Sequence, residues 1–175
     1  NIGGVYVGGD NPVRLQSMTD TSSGDTEATV EQVIALARAG ADYVRITVKD
    51  MNDAHNLKNI SDMLRKRGFE IPLIADIHFN PRIAEIAAKY VDKVRINPGN
   101  FYDKRANFKP RIYSDEEYKE ELLKIEEQFI PFLELLKKNN TALRIGANQG
   151  SLSDRVMSRF GDTPSGMTES VMEFL

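Results

Sequence analysis

Two apolar segments between positions 71 and 100 carry polar side chains at places where a buried strand would be apolar. The first segment ends in Asp76 and His78, and the second carries Arg95 and Asn97 beside aliphatic residues. Alternate residues of a strand share a face, so the two members of each pair lie together. Polar groups at the carboxyl ends of neighbouring strands are typical of active sites in (β/α) barrels. We predict Asp76 and His78 as catalytic residues, with His78 donating a proton or orienting the ligand.

Three arginines occur in the same context on separate strand-like segments. Arg45, Arg95 and Arg144 each lie between two aliphatic residues. If the aliphatic residues face covering helices, the arginines face inward, where an unpaired ion is costly. Asp76 is the only carboxylate at a comparable inward position, which leaves an excess of positive charge. Because guanidinium groups suit phosphate geometry, we predict an anionic, phosphorylated ligand, and the alternative is ion pairs with helix carboxylates.

Amide side chains follow two of these segments. Asn97 comes directly after the segment that carries Arg95, and Asn148 follows the one that carries Arg144. Asparagine is common in turns, so both residues are either turn residues or ligand-binding groups, and their positions favour neither alternative.

Strand-like and helix-like segments alternate along the chain. Strands are predicted near 5–7, 13–18, 43–48, 73–76, 94–96 and 142–146. Helices are predicted near 26–39, 53–66 and 115–138, the last with a kink at Pro131. Three further helices are predicted: one that begins at Asn80 and Pro81, one that begins at 153, and one that runs from Pro164 to the chain end. This alternation favours an α/β architecture with a parallel sheet. The sheet is either an open doubly wound sheet or the first five strands of an eight-stranded barrel, and the polar strand interiors favour the barrel.

Composition limits the possible partners. The 175 residues carry a formal net charge of −3 and are 41% apolar, which fits one globular domain and indicates neither nucleic acid nor membrane as a partner. The chain has no cysteine, so it holds no thiolate-bound metal or iron–sulfur centre itself. It begins without Met and ends inside a predicted helix, and we interpret it as the N-terminal part of a larger barrel with a long polar connection at 101–114.

Six motifs occur in order along almost the whole chain. They are RLQSMTDT (14–21), AGADYVRITV (39–48), PLIADIHFNPRIA (72–84), VRINPGN (94–100), LRIGANQGSLSDR (143–155) and GDTP (161–164). In all of them the chain resembles the 4-hydroxy-3-methylbut-2-enyl diphosphate synthases, the iron–sulfur enzymes of the non-mevalonate isoprenoid pathway. The segment 101–129 is similar to the large, plant-type branch of that family, which has an extra domain between the barrel and the cluster domain.

The resemblance implies a TIM barrel of the dihydropteroate-synthase-like kind, of which residues 1–175 are the N-terminal, substrate-binding part. It also implies that the second barrel half, the inserted domain and an iron–sulfur domain lie outside this chain. In the family, three cysteines and a glutamate hold a [4Fe-4S] cluster, and ferredoxin or flavodoxin supplies electrons. The reaction is the two-electron reductive ring opening of 2-C-methyl-D-erythritol 2,4-cyclodiphosphate. Without cysteine, this chain alone is expected to be inactive.

Matched motif by motif, the resemblance assigns Arg45, Arg95 and Arg144 to diphosphate binding. It places Asp76, His78, Asn97 and Asn148 around the substrate. The implied location is the bacterial cytoplasm, or the plastid stroma for a plant protein. We also expect self-association as a homodimer, because five strands leave open sheet edges.

Two other functions compete with this interpretation. One is another diphosphate-handling barrel related to dihydropteroate synthase, which would need no cluster. The other is a catalytically silent binding or assembly module.

Overall fold

The centre of the molecule is one sheet of five parallel strands in chain order, β1-β2-β3-β4-β5. The computed structural model describes residues 1–103 and 112–175. The strands are β1 Gln16–Met18, β2 Tyr43–Val48, β3 Leu73–Ile77, β4 Lys93–Ile96 and β5 Ala142–Ile145. The helices are α1 Thr26–Arg38, α2 Met51–Lys66, α3 Pro81–Ala87, α4 Pro98–Phe101, α5 Asp115–Asn139, α6 Asp154–Phe160 and α7 Pro164–Met172. The predicted α/β alternation with a parallel sheet is confirmed.

The helices begin at side chains that can accept hydrogen bonds from the first turn. Asp25, Asp50 and Ser114 each accept a hydrogen bond from the backbone N–H three residues later, at the starts of α1, α2 and α5. Asn80 caps α3 directly before Pro81, as the sequence predicts. These caps define where each strand-to-helix connection ends.

The two faces of the sheet differ in polarity. The face toward the helices is apolar and carries Val44, Ile46, Ala75, Ile77, Val94 and Ile96 in the main hydrophobic core. Side chains alternate along a strand, so the opposite face, here called the interior face, carries Arg45, Asp76, Arg95 and Arg144. The register aligns Asp76 with Arg95, and Arg95 with Arg144, on adjacent strands. The sheet therefore brings the sequence-predicted charged residues to one surface.

A small apolar cluster covers the amino end of the interior face. Ile2 packs with Tyr43 and Ile74, and Val5 and Ala142 lie against them. The backbone groups of Ile2 and Val5 exchange two hydrogen bonds of 2.9 Å. The strand predicted at 5–7 is therefore wrong, since this segment forms only an isolated antiparallel bridge.

The first strand is shorter than the predicted 13–18. Its first paired residue is Gln16, which lies opposite Tyr43, the first residue of β2. Before it, Asp42 takes the place of a strand partner. The Leu15 carbonyl accepts from the Asp42 N–H at 2.8 Å, and the Leu15 N–H donates to the Asp42 carboxylate at 2.7 Å.

The helix α4 is a single turn that the sequence analysis does not predict. Phe101 ends this helix and Tyr102 follows it, and their rings pack with those of Phe129, Phe132 and Phe174, with centroids between 4.8 and 6.2 Å apart. The predicted polar connection at 101–114 thus begins with aromatic residues that join the core, and its residues 104–111 lie outside the described residues.

Helix α5 matches its predicted bounds to within one residue, whereas α7 is shorter than predicted. The helix α5 continues through Pro131 and ends at Asn139, and its C-cap Asn140 adopts the left-handed conformation with φ 55°. The prediction that the last helix reaches the chain end is wrong, because α7 ends at Met172. Beyond it, Phe174 turns into the aromatic cluster and is buried.

No helix within the described residues has both the length and the apolar character needed to cross a membrane.

A buried ion-pair network joins α6 to the last residues of the chain. Arg155 is only 2% exposed and donates two hydrogen bonds to Glu173 at 2.9 and 2.7 Å. It also donates to Asp103 at 3.2 and 3.3 Å. Burial raises the pKa of Asp103 above its usual value even though the guanidinium of Arg155 opposes this. Within the described residues, the network therefore depends on Arg155, which pairs with both Asp103 and Glu173.

Replacing Arg155 with Met should destabilise α6 and α7 by about 3–5 kcal/mol, because it leaves Glu173 and Asp103 buried without their cation. Hydrogen–deuterium exchange of the α6 and α7 amides in the full-length protein measures this effect. Arg159→Met is the matched control on the same helix. Arg159 pairs with Asp115, which is 78% exposed, and this substitution should cost about 1 kcal/mol or less. Equal effects of the two substitutions would contradict a structural role for the buried network.

Candidate active site

The carboxylate of Asp76 is the centre of the interior face. Asp76 lies near the carboxyl end of β3 and is 4% exposed. Its Oδ1 accepts a hydrogen bond from Nη1 of Arg95 at 3.0 Å, and its Oδ2 lies 3.5 Å from Nε of Arg45. Nε2 of His78 lies 3.6 Å from Oδ1. The structure therefore brings together four of the seven predicted site residues around one carboxylate.

Arg95 is held from two sides. Nη1 donates to Asp76, and Nη2 donates to the backbone carbonyl of Gly146 at 2.7 Å. In the amide orientation that satisfies both of its ends, Asn148 also accepts from Nη2 of Arg95, at 2.8 Å. A buried guanidinium with three acceptors has little freedom to move, so Arg95 presents a fixed charge to the interior face.

Arg45 is held less completely. Its Nη2 contacts Sδ of Met18 at 3.2 Å, which is a weak acceptor. Its Nε is buried and lies 3.5 Å from Oδ2 of Asp76, but this contact does not have the geometry of a hydrogen bond. Nε therefore has no hydrogen-bond acceptor among the described residues. Arg45 therefore retains donors that an additional anion can use.

Arg144 lies beside Arg95 in the register of β4 and β5, and it is exposed. Within the described residues, no carboxylate forms an ion pair with Arg144. The predicted alternative, pairing of these arginines with helix carboxylates, is not observed in that part of the chain. Two guanidinium groups thus share the carboxylate of Asp76, while Arg144 has no carboxylate partner among the described residues, and the surplus charge suits an anion with several oxygens.

Comparison with known proteins identifies the family of the chain. A family model described as the GcpE TIM-barrel domain matches residues 1–175. The chain belongs to the GcpE family. The membership confirms that the five strands belong to a TIM barrel and not to an open doubly wound sheet.

Curated relatives of this GcpE chain carry the name that the sequence motifs indicate. It is 57% identical over 175 residues to the 4-hydroxy-3-methylbut-2-en-1-yl diphosphate synthase (flavodoxin) of Bacteroides thetaiotaomicron. The proteins of the same name from Protochlamydia amoebophila and Leptospira interrogans are 55% and 50% identical over 174 residues. These alignments cover 99–100% of the chain and 26–28% of each relative, so the chain spans little more than a quarter of their length.

A solved structure of dihydropteroate synthase from Xanthomonas albilineans is similar to the GcpE chain at a TM-score of 0.44 and 14% sequence identity. The match covers 93% of this chain and 66% of that one.

Two amides of the GcpE site differ in their surroundings. Asn97 is buried and caps α4, where its Oδ1 accepts from the N–H of Gly99 at 3.3 Å and its Nδ2 donates to Ser151 at 2.9 Å. Both of its polar groups are thus used within the protein. Asn148 is exposed at the rim of the interior face, beside Arg95. The geometry of Asn97 matches the turn alternative, whereas the amide of Asn148 contacts Arg95 and the Ala147 carbonyl and is exposed to solvent.

Lys93 is a further cation of the interior face that the sequence analysis misses. It lies two residues before Arg95 on β4, so the two side chains share a face. Burial lowers the pKa of the Lys93 ammonium, and the charges of Arg144 and Arg45 lower it further. The alternation of Lys93, Arg95 and Asn97 indicates that Lys93 faces the interior. A lysine at the first residue of a strand, however, resembles an ordinary surface residue.

A side chain at position 146 should disturb the site. A Cβ on Gly146 would lie 2.5 Å from Nε of Arg95, so Gly146→Ala should displace the guanidinium from Asp76. We expect a loss of about 1–3 kcal/mol in local stability, because the buried Asp76 loses a partner. A crystal structure of the full-length variant and amide exchange of β3 and β4 measure both effects.

Gly24→Ala is the control for that substitution, since its Cβ would meet only ordinary contacts, the nearest at 3.7 Å. If Gly146→Ala leaves Arg95 in place and exchange unchanged, then Arg95 is not confined as described.

Proposed function

We propose that this chain is the substrate-binding part of a reductive diphosphate synthase that acts on 2-C-methyl-D-erythritol 2,4-cyclodiphosphate. The observation that carries the proposal is the convergence of Arg45 and Arg95 on Asp76, with Arg144 beside them. The surplus of guanidinium groups suits a ligand with two phosphate groups. Relatives at 50–57% identity are named as synthases of 4-hydroxy-3-methylbut-2-en-1-yl diphosphate, which supports the same substrate class.

In the proposed reaction, the cyclic diphosphate takes up two electrons and two protons and releases one water as the ring opens. The arginines of this chain bind the phosphate oxygens and fix the orientation of the carbon skeleton. Asp76 holds Arg95 in position through its 3.0 Å hydrogen bond. His78, 38% exposed and 3.6 Å from Asp76, is the residue we assign to donating a proton to the departing hydroxyl.

The residues of this chain do not fit an iron–sulfur cluster. The chain has no cysteine, and the described residues contain no group of three metal-ligating side chains. We therefore propose that a [4Fe-4S] cluster is bound outside this chain, in the part of the relatives that it does not span. The relatives' names include flavodoxin, which favours flavodoxin over ferredoxin as the electron donor.

The remaining proposals concern the state of the whole protein. We propose a homodimer, because β1 and β5 are open sheet edges within the described residues. We place the protein in the bacterial cytoplasm, because the named relatives are bacterial. This chain alone is expected to bind the substrate without turning it over, since the cluster ligands are not in it.

Arg144→Ala gives the clearest test of the anion site. Arg144 is exposed and makes no ion pair with a described residue, so its loss should leave the fold intact. Calorimetry on the full-length protein should show about ten-fold or greater weakening for both the cyclodiphosphate and pyrophosphate, since a charged hydrogen bond contributes about 1.5–3 kcal/mol. Arg95→Ala should weaken both ligands as well, with an added loss of stability.

Arg82→Ala is the matched control, because Arg82 is an exposed arginine on helix α3 and not on a strand of the sheet. Unchanged affinity in Arg144→Ala and Arg95→Ala, or equal weakening in Arg82→Ala, would count against the diphosphate site.

A further inference from the structure

The cations of the interior face occupy two successive rows. Arg95 and Arg144 lie in the row of Asp76, near the carboxyl ends of the strands. Lys93 lies two residues earlier on β4, and the register connects it through Ile74 to Arg45. Lys93 and Arg45 thus form a lower row, and Arg95 and Arg144 form an upper row. Two residues of a strand span about 7 Å, so the lower row lies about 7 Å from the upper row, toward the amino ends of the strands.

Lys93 has no anionic partner within the described residues. Its neighbours in the register are Ile74 and Ala142, which are apolar. Its Nζ lies 6.0 Å from the centroid of the Tyr43 ring, at the apolar cluster that covers the amino end of the interior face. Burial lowers the pKa of Lys93, and the positive charges of Arg144 and Arg45 add to the effect. Among the described residues the ammonium therefore has the Tyr43 ring as a neighbour but no negative charge, and the like charges of Arg144 and Arg45 act on it.

We propose that Lys93 is the floor of the anion site and contacts the deeper phosphate group of the ligand, so that the site selects two linked phosphates over one. A single phosphate can be bound by the upper row, Arg95 and Arg144. A diphosphate reaches both rows and also meets Lys93 and Arg45. This inference rests on the proposed function, because it assigns the two phosphate groups of the same ligand to two levels of the barrel.

The competing explanation is structural: a carboxylate from outside this chain could pair with Lys93. The two explanations predict opposite effects on the ligand-free protein. A lysine whose pKa is lowered in the fold destabilises the fold while it is charged, and this cost disappears as the pH rises above its folded pKa. Removing the charge should therefore preserve or raise the thermal midpoint at neutral pH. If a carboxylate pairs with Lys93, the same change should lower it.

The experiment compares Lys93→Met with Lys89→Met in the full-length protein. Met keeps the length of the lysine stem, and Lys89 is an exposed lysine in the same βαβ unit. Calorimetry measures the affinity for pyrophosphate and for orthophosphate, and thermal unfolding is recorded without ligand. We expect Lys93→Met to weaken pyrophosphate about ten-fold or more and orthophosphate less than about three-fold. The thermal midpoint should be equal or higher, and Lys89→Met should change none of these quantities.

Three results would overturn the inference. They are unchanged pyrophosphate affinity in Lys93→Met, equal weakening of both anions, and a lowered thermal midpoint with unchanged affinity. Lys93→Gln, which keeps a polar group, serves as a second variant with the same expected affinities if Lys93→Met does not fold.

Arg144→Ala separates this inference from the proposed function. If that variant loses affinity and Lys93→Met does not, only the role of Lys93 fails, and if neither loses affinity, the anion site itself fails.

Discussion

The interior face depends on one carboxylate that is shared between two guanidinium groups. Asp76 joins Arg95 and Arg45 across three adjacent strands, and without it their charges would repel each other inside the barrel. One carboxylate cannot neutralise both arginines together with Arg144 and Lys93. The described part of the barrel is thus left with a surplus of positive charge on its interior face, and this imbalance connects the fold to the proposed anionic ligand.

The rest of the fold keeps this charged group in place. The apolar face of the sheet is buried against the helices, which leaves the arginines on the only face open to a ligand. Gly146 provides an acceptor for Arg95 and has no side chain in the space that the guanidinium needs. At the other end, the cluster of Ile2, Tyr43 and Ile74 closes the amino side of the interior face. The strands therefore expose their charges mainly toward their carboxyl ends, where active sites of (β/α) barrels lie.

Strand alternation was enough to predict that Arg45 and Arg95 share a face with Asp76, because aliphatic neighbours fix the direction of each side chain. Alternation does not show which polar groups form hydrogen bonds within the protein, so the capping role of Asn97 could not be predicted. The hydrophobic pattern also missed α4, which is one turn long. It did not show that strand pairing starts only at Gln16, three residues later than predicted, because this start depends on where β2 begins. The partners of Arg155 come from distant parts of the chain, and no local pattern predicts such contacts.

A crystal structure of the full-length protein with bound pyrophosphate would show whether the arginines of the interior face hold the ligand. We expect one anion on the interior face, within hydrogen-bond distance of Arg45, Arg95 and Arg144, while Asp76 keeps its bond to Arg95. An anion bound elsewhere would contradict this arrangement. So would arginines that are each neutralised by carboxylates from the remaining strands of the barrel, because the interior would then carry no surplus charge for a ligand.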